Sequence, residues 1–187
     1  MTKRHRAHGP IAVGLLGVVA CLPPTEIDVT VTTDDVSCAT FQSANLYLGG
    51  DASVFSSPGN PISQSSSCDG GYLGKFVILP PGDDSSNAAS VPPISVYVVM
   101  GLGMDPGQCV DAGASKQCVF AKRDYTFARH VTQEETILMS TLCEGVTCSG
   151  TQTCDEGTCV TLLNDGGLAD GGPVDAAEAM DAPPGDP

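Results

Sequence analysis

The sequence predicts a mainly β protein, an antiparallel β-sandwich followed by a small disulfide-rich module and a disordered acidic tail. Short stretches of alternating apolar and polar residues are separated by turn-forming residues. No window of eleven or more residues keeps the 3.6-residue apolar period of a helix. The 187 residues also include 22 Gly and 14 Pro but no Trp, which indicates a small core and many turns.

The predicted strands begin with the clearest alternation in the chain. From Ile27 to Thr32, β-branched apolar residues alternate with Asp and Thr, which is typical of a strand with one buried face. Residues 49–67 and 80–93 are rich in Gly, Pro, Ser and Asp and predict turns between strands. Six or seven such strands favour a sandwich that is immunoglobulin-like in general architecture over residues 27–142, with the strand order left open. The other stretches with strand character are residues 44–48, 75–79, 94–100, 119–127 and 135–139.

The composition changes after Leu142. Residues 143–160, the cysteine-rich module, contain four cysteines and few apolar side chains, so we expect crosslinks to order them. Residues 161–187 contain six acidic residues and no basic ones among Gly, Ala and Pro. Because such a segment buries too little apolar surface to offset its chain entropy, it predicts a disordered tail.

The first 20 residues have the layout of a secretory signal peptide. Lys3, Arg4 and Arg6 give a positive start, and the apolar run from Ile11 ends in small residues at Ala20. This run is too short to cross the roughly 30 Å hydrocarbon core of a bilayer as a helix. We therefore predict export and removal of residues 1–20.

The predicted cleavage point, Val18-Val19-Ala20-Cys21, resembles the lipobox of bacterial lipoproteins. The resemblance implies that the Cys21 thiol receives diacylglycerol and that a peptidase cuts after Ala20. Residues 21–26 then form a lipidated spacer, and two or more acyl chains, such as palmitate, attach the protein stably to a membrane. In a Gram-negative host, Asp directly after the acylated cysteine would favour the inner membrane. This chain has Leu22 at that position, which implies the outer membrane. The alternative is cleavage by ordinary signal peptidase, which leaves Cys21 as a free thiol.

Nine cysteines are an odd number, and assigning Cys21 to lipid leaves eight that can pair in an oxidising compartment. Proximity along the chain and alternate pairing within the cysteine-rich module favour four disulfides. A zinc site in that module is the alternative, but its cysteine spacing differs from the closely spaced pairs of zinc knuckles. The favoured pairs are Cys109 with Cys118, Cys38 with Cys68, Cys143 with Cys154, and Cys148 with Cys159.

The cysteine-rich module also resembles a recurring tail module in predicted lipoproteins of large-genome Gram-negative bacteria. Gly145, Val146, Gly157 and Val160 fit its pattern, whereas Thr151 stands where a glycine is common. The resemblance covers a small part of the chain. It implies an envelope location and no particular activity.

Charge and motif content narrow the function classes. Without residues 1–20, the chain has 22 acidic residues but only five basic ones, which disfavours nucleic-acid binding. His130 is then the only histidine, and no serine-hydrolase elbow motif is present. We predict no catalytic residues and no cofactor. The predicted function is that of a cell-envelope lipoprotein with a structural or partner-binding role.

Two alternatives stay open. Asp34-Asp35, Asp83-Asp84 and the acidic repeat in residues 165–175 offer oxygen ligands to Ca²⁺, although none has EF-hand spacing. A calcium-dependent binding or adhesion module is therefore the first alternative. The second is an envelope hydrolase acting on glycans or esters. Its candidate residues are Asp83, Asp84 and His130, of which His130 is predicted to lie on a surface strand.

Overall fold

A computed structural model of the chain describes four stretches, residues 24–34, 38–80, 92–112 and 116–163. The predicted signal peptide, Cys21, Asp35, Asp83-Asp84 and the acidic repeat in residues 165–175 lie outside them. Within the described stretches, no helix is long and apolar enough to cross a membrane.

Seven strands form two facing sheets, which confirms the mainly β sandwich. One sheet has three strands in the order β4-β1-β7, and the other has four in the order β3-β2-β5-β6. This order differs from that of immunoglobulin domains, so the likeness to them is limited to the two-sheet architecture. The strands are β1 Glu26–Thr33, β2 Phe41–Gly49, β3 Ser63–Ser65, β4 Tyr72–Ile78, β5 Ile94–Leu102, β6 Cys118–Tyr125 and β7 Thr132–Met139.

Strand β1 lies in the middle of the three-stranded sheet and has one parallel neighbour. Val29 lies opposite Phe76 of antiparallel β4 on one side and opposite Glu135 of parallel β7 on the other. The remaining pairings that the structure describes are antiparallel. The antiparallel expectation therefore holds for every described pair except β1 with β7, where the first and last strands of the sandwich run side by side.

The main core fills the space between the two sheets. In strand β1, every second side chain belongs to this core. Ile27, Val29 and Val31 are buried, while the residues between them are partly exposed. Both sheets contribute to this core. Its further members include Leu46, Leu73, Val96, Val98, Met100, Ile137 and Met139.

The outer face of the four-stranded sheet is covered as well. Strand β5 is buried along nearly its whole length, and the 3-10 turn Ala52–Phe55 and helix α1, Pro106–Ala112, pack over the sheet. Gly101 permits the chain to fold back here, since a Cβ at that position would lie 1.8 Å from the Met104 carbonyl oxygen. The sequence predicted no helix at α1, because seven residues are too few to show a helical period.

Four disulfides crosslink the described chain, and they are the pairs that the sequence favoured. Cys38–Cys68 joins the segments that precede β2 and β4, and Cys109–Cys118 ties α1 to the start of β6. Cys143–Cys154 and Cys148–Cys159 interleave within the cysteine-rich module.

The cysteine-rich module packs directly against the sandwich. Its hairpin consists of β8, Gln152–Asp155, and β9, Thr158–Thr161, so Thr161 belongs to a strand and not to the predicted disordered tail. The buried Thr153 Oγ1 accepts the backbone N–H of Lys122 at 2.9 Å and Arg123 Nη1 at 3.4 Å. Through these bonds the hairpin covers the outer edge of β6.

Candidate functional site

The candidate site is built on a row of side chains that crosses the outer face of the four-stranded sheet. Tyr47 on β2 lies opposite Tyr97 on β5, which in turn lies opposite Lys122 on β6. Cross-strand partners point to the same side of a sheet. Phe120, two residues before Lys122, therefore projects from that face too, next to Tyr97.

A cleft of about 250 Å³ opens over this row, and we call it the aromatic cleft. Its base consists of Tyr97, Phe120 and Lys122, while three other segments supply the walls. The segment after β2 contributes Phe55, Ser56 and Pro58. Helix α1 contributes Cys109 and Val110, and the cysteine-rich module contributes Val146, Thr147 and Cys148. The cleft is smaller than the roughly 300–1,000 Å³ of drug-sized pockets, so it suits a compact group.

The aromatic rings hold one another in place. The rings of Tyr97 and Phe120 are nearly parallel, with centroids 6.1 Å apart, and Phe55 meets Tyr97 edge-on at 5.9 Å. Aromatic pairs in these arrangements attract each other beyond the effect of their buried area. Burial also raises the pKa of Tyr97, so its phenol stays neutral at physiological pH.

Lys122 brings a positive charge into this apolar setting. The residue is only 9% exposed, and its Nζ lies 5.3 Å from the centroid of the Phe55 ring. The ammonium donates to the carbonyl oxygens of Cys148 and Ser149 at 3.4 and 3.3 Å. In the described stretches, the ion pair that forms is Lys75 with Asp28, and no carboxylate reaches Lys122. Burial lowers the pKa of Lys122, because the charged form is poorly solvated there.

The lining of the aromatic cleft combines polar side chains with aromatic rings. Its lining contains the hydroxyls of Ser56 and Thr147 and one ammonium, but neither histidine nor carboxylate. A nucleophile or a general acid needs a partner base or acid within hydrogen-bond reach. The lining offers instead a cation for an anionic group and ring faces for an apolar body.

His130, a candidate of the hydrolase alternative, lies away from the aromatic cleft. It occupies a turn before β7 with φ 54°, which corrects the expectation that it lies on a surface strand. Its backbone N–H donates to Thr25 Oγ1 at 2.9 Å, which fastens this turn to the start of β1. His130 lies between the strand-like stretch of residues 119–127 and β7, and a turn occupies that gap.

Asp34, a calcium candidate, is engaged within the fold. Its carboxylate accepts the backbone N–H of Thr141 at 3.0 Å and the Thr141 hydroxyl at 2.7 Å, with Ser140 Oγ at 3.5 Å. Burial by itself raises the pKa of Asp34, but these hydrogen bonds outweigh it and lower that pKa. Among the residues that the structure describes, no group of three or more His, Cys, Asp or Glu side chains is placed to hold a metal ion.

The sequence reasoning missed the aromatic cleft, although one signal was present. The run Ile94–Leu102 is apolar at nearly every position, a pattern of strands that are covered on both faces. Tyr97 and Lys122 come together only through strand pairing, which the sequence does not show.

No protein-family model, curated protein or solved structure matches this chain. The case for the aromatic cleft as a functional site therefore comes from its own geometry. That geometry depends on segments far apart in the sequence, among them Phe55, Lys122 and Cys148.

Proposed function

We propose that this chain is an exported, lipid-anchored binding protein of the cell envelope, and that the aromatic cleft is its binding site. The observation that carries the binding role is the ammonium of Lys122, a residue only 9% exposed, which lies over the Phe55 ring and has no carboxylate partner among the described residues. A buried charge held only by neutral groups is costly to the fold. A ligand that neutralises it gains a charge-assisted hydrogen bond.

The ligand that fits best is a small carboxylate with an aromatic or aliphatic body. Its carboxylate would accept from Lys122 Nζ, which has three donors and uses two of them on the Cys148 and Ser149 carbonyls. Its apolar body would pack on Phe55 and Phe120, which line the same cleft. The volume of about 250 Å³ limits that body to roughly one ring.

Export and anchoring draw support from other parts of the chain. Four disulfides are typical of proteins in oxidising compartments outside the cytosol. The lipobox-like residues before Cys21 support acylation at that cysteine. Intact mass of the membrane-extracted protein should show loss of residues 1–20 and added acyl mass, and Cys21→Ala should leave the protein soluble. An unmodified Cys21 in a soluble wild type would contradict anchoring.

The binding role can be tested with matched probes and matched lysines. Phenylacetate and its uncharged analogue phenylacetamide differ in the group that meets Lys122, and NMR titration measures the affinity of each. We expect phenylacetate to bind at least about tenfold more tightly than the amide, since a hydrogen bond to a charged group contributes about 1.5–3 kcal/mol. Lys122→Met should remove this preference.

Lys75→Met is the control, because Lys75 is an exposed lysine on the other sheet. It should leave phenylacetate binding unchanged. Equal affinity for the two probes, binding that survives Lys122→Met, or no shift of the resonances of cleft residues by either probe would overturn the cleft assignment.

A further inference from the structure

The strand pairings place the start of the described chain at one end of the sandwich. Glu26, the first residue of β1, pairs with Thr132 at the start of β7, and Ile27 pairs with Ile78 at the end of β4. In the other sheet, Ile94 at the start of β5 pairs with Tyr125 at the end of β6. A six-residue connection from Tyr125 to Thr132 joins the two sheets at this end, which we call the anchor end.

The anchor end exposes apolar side chains on both sides of β1. Leu79, just past β4, is 62% exposed, and Val131, just before β7, is 44% exposed. The backbone N–H of Glu26 donates to the Val131 carbonyl at 3.3 Å, so this valine lies directly beside the entry of the chain into β1. Pro92 and Pro93 are exposed at the same end and, with Leu79, line an apolar cavity of about 340 Å³.

The length of chain before β1 restricts where this end can lie. Three peptide units separate Cys21 from Pro24, and consecutive Cα atoms are 3.8 Å apart, so the two Cα atoms are at most about 11 Å apart in any conformation. The headgroup region of one leaflet is roughly 5–8 Å thick. An acylated Cys21 therefore holds the start of the described chain within about 11 Å of the lipid attachment point, a distance similar to the thickness of the headgroup region.

We propose that the anchor end is a membrane-contact surface, with Leu79 and Val131 in the interfacial layer of the bilayer. This inference rests on the proposed acylation of Cys21 and adds an orientation to it. The exposed Arg129 lies next to this surface and is one of only five basic residues after the signal segment, so it adds attraction to anionic headgroups. The sandwich then stands with its strands running away from the membrane.

The absence of Trp from the chain gives a direct test, because one introduced Trp reports only its own surroundings. Val131→Trp reports on the anchor end. Leu138→Trp is the matched control, since Leu138 is also 44% exposed but lies seven residues further, about 23 Å at about 3.3 Å per residue. Each acylated variant is reconstituted in phosphatidylcholine–phosphatidylglycerol vesicles, with or without lipids brominated near the top of the acyl chain.

Brominated lipid should reduce the tryptophan emission of the Val131→Trp variant at least about twofold, because bromine quenches only in near contact. It should leave the emission of the Leu138→Trp variant within about a tenth of its value. Equal quenching in both variants, or none in Val131→Trp, would overturn the orientation. Intact mass, measured on the same samples, separates the two proposals. An acylated Val131→Trp protein whose tryptophan is not quenched refutes the membrane contact alone, whereas an unacylated Cys21 refutes the anchor and the contact together.

Discussion

The outer faces of the two sheets differ more than their inner faces do. On the three-stranded sheet, Asp28, Thr30 and Glu134 lie on a face that none of the described segments covers, which we call the bare face. Lys75 Nζ meets Asp28 Oδ2 there at 2.6 Å. On the four-stranded sheet, a 3-10 turn, helix α1 and the cysteine-rich module cover the outer face. Both sheets contribute to one core, and within the described stretches the second apolar cluster lies on the covered face.

This difference shows how a sandwich acquires a cleft. A bare sheet face is solvated and nearly flat, so it offers little enclosure to a small ligand. Separate short segments that cross a sheet face leave gaps between them, and the aromatic cleft is such a gap, between Phe55, Val110 and Cys148. Three of the four disulfides lie in or beside these covering segments.

The largest expected effect comes from removing a matched aromatic residue from each sheet. Tyr97 is 6% exposed beneath the covering segments, whereas Tyr72 of β4 is 46% exposed. We expect Tyr97→Ala to lower the free energy of unfolding by about 3 kcal/mol, through lost burial and a residual cavity. Tyr72→Ala should cost about 1 kcal/mol or less.

Urea unfolding measures both changes in the free energy of unfolding, provided that the slope of this free energy against urea concentration is the same in the variants and the wild type. Similar losses for the two variants would mean that the covered face contributes no more to stability than the bare one.

An intermediate effect is expected where the cysteine-rich module joins the sheet. Thr153→Val keeps the shape of the side chain but removes the acceptor of the Lys122 N–H and of Arg123 Nη1. A buried donor left without an acceptor costs about 1–3 kcal/mol, so we expect a loss of about 2 kcal/mol. Thr30→Val, on the bare face, should change stability by about 0.5 kcal/mol or less, because both residues suit a strand.

Thermal or urea unfolding compares these two variants as well. If Thr153→Val matched Thr30→Val, the hydrogen bonds to Thr153 would be dispensable for holding the module.

The smallest effect is expected at Asp34, which fastens the end of β1 to the segment after β7. The pKa of Asp34 in the folded protein lies below the ordinary 3.8. Its contribution to the free energy of unfolding is therefore fully present above about pH 3.8 and is lost as the pH falls through the lower folded pKa. Asp34→Asn should therefore be less stable than wild type at neutral pH, and the difference should shrink towards about pH 2. Urea unfolding across this range checks it, and a difference independent of pH would exclude ionisation as the cause.

The sequence predicted the elements of the fold better than their arrangement. The alternation in β1 identified its buried residues, since period-two patterning depends only on which side chains face the core. Proximity along the chain favoured Cys109–Cys118 and Cys38–Cys68. Alternate pairing, which joins both halves of the cysteine-rich module, favoured the other two disulfides. The parallel neighbour of β1 left no such trace, because Glu26 and Thr132 are 106 residues apart and burial patterns do not specify strand partners.

The aromatic cleft was harder to foresee for the same physical reason. The apolar run of β5 predicts a strand covered on both faces, but it does not say which segments supply the cover. In the sequence, nothing distinguishes Lys122 from an ordinary polar residue of a strand. Its burial becomes evident only when the cysteine-rich module closes over it.

The parallel pairing of β1 with β7 also affects the order in which the chain can fold. Contacts between distant residues form slowly because a long loop must close first. Until β7 arrives, β1 presents an edge of unpaired backbone groups, a template for pairing with the wrong chain. Because synthesis runs from the N-terminus, β1, the first of the described strands to be made, is therefore among the last to gain both neighbours, and its edge needs protection in the interval.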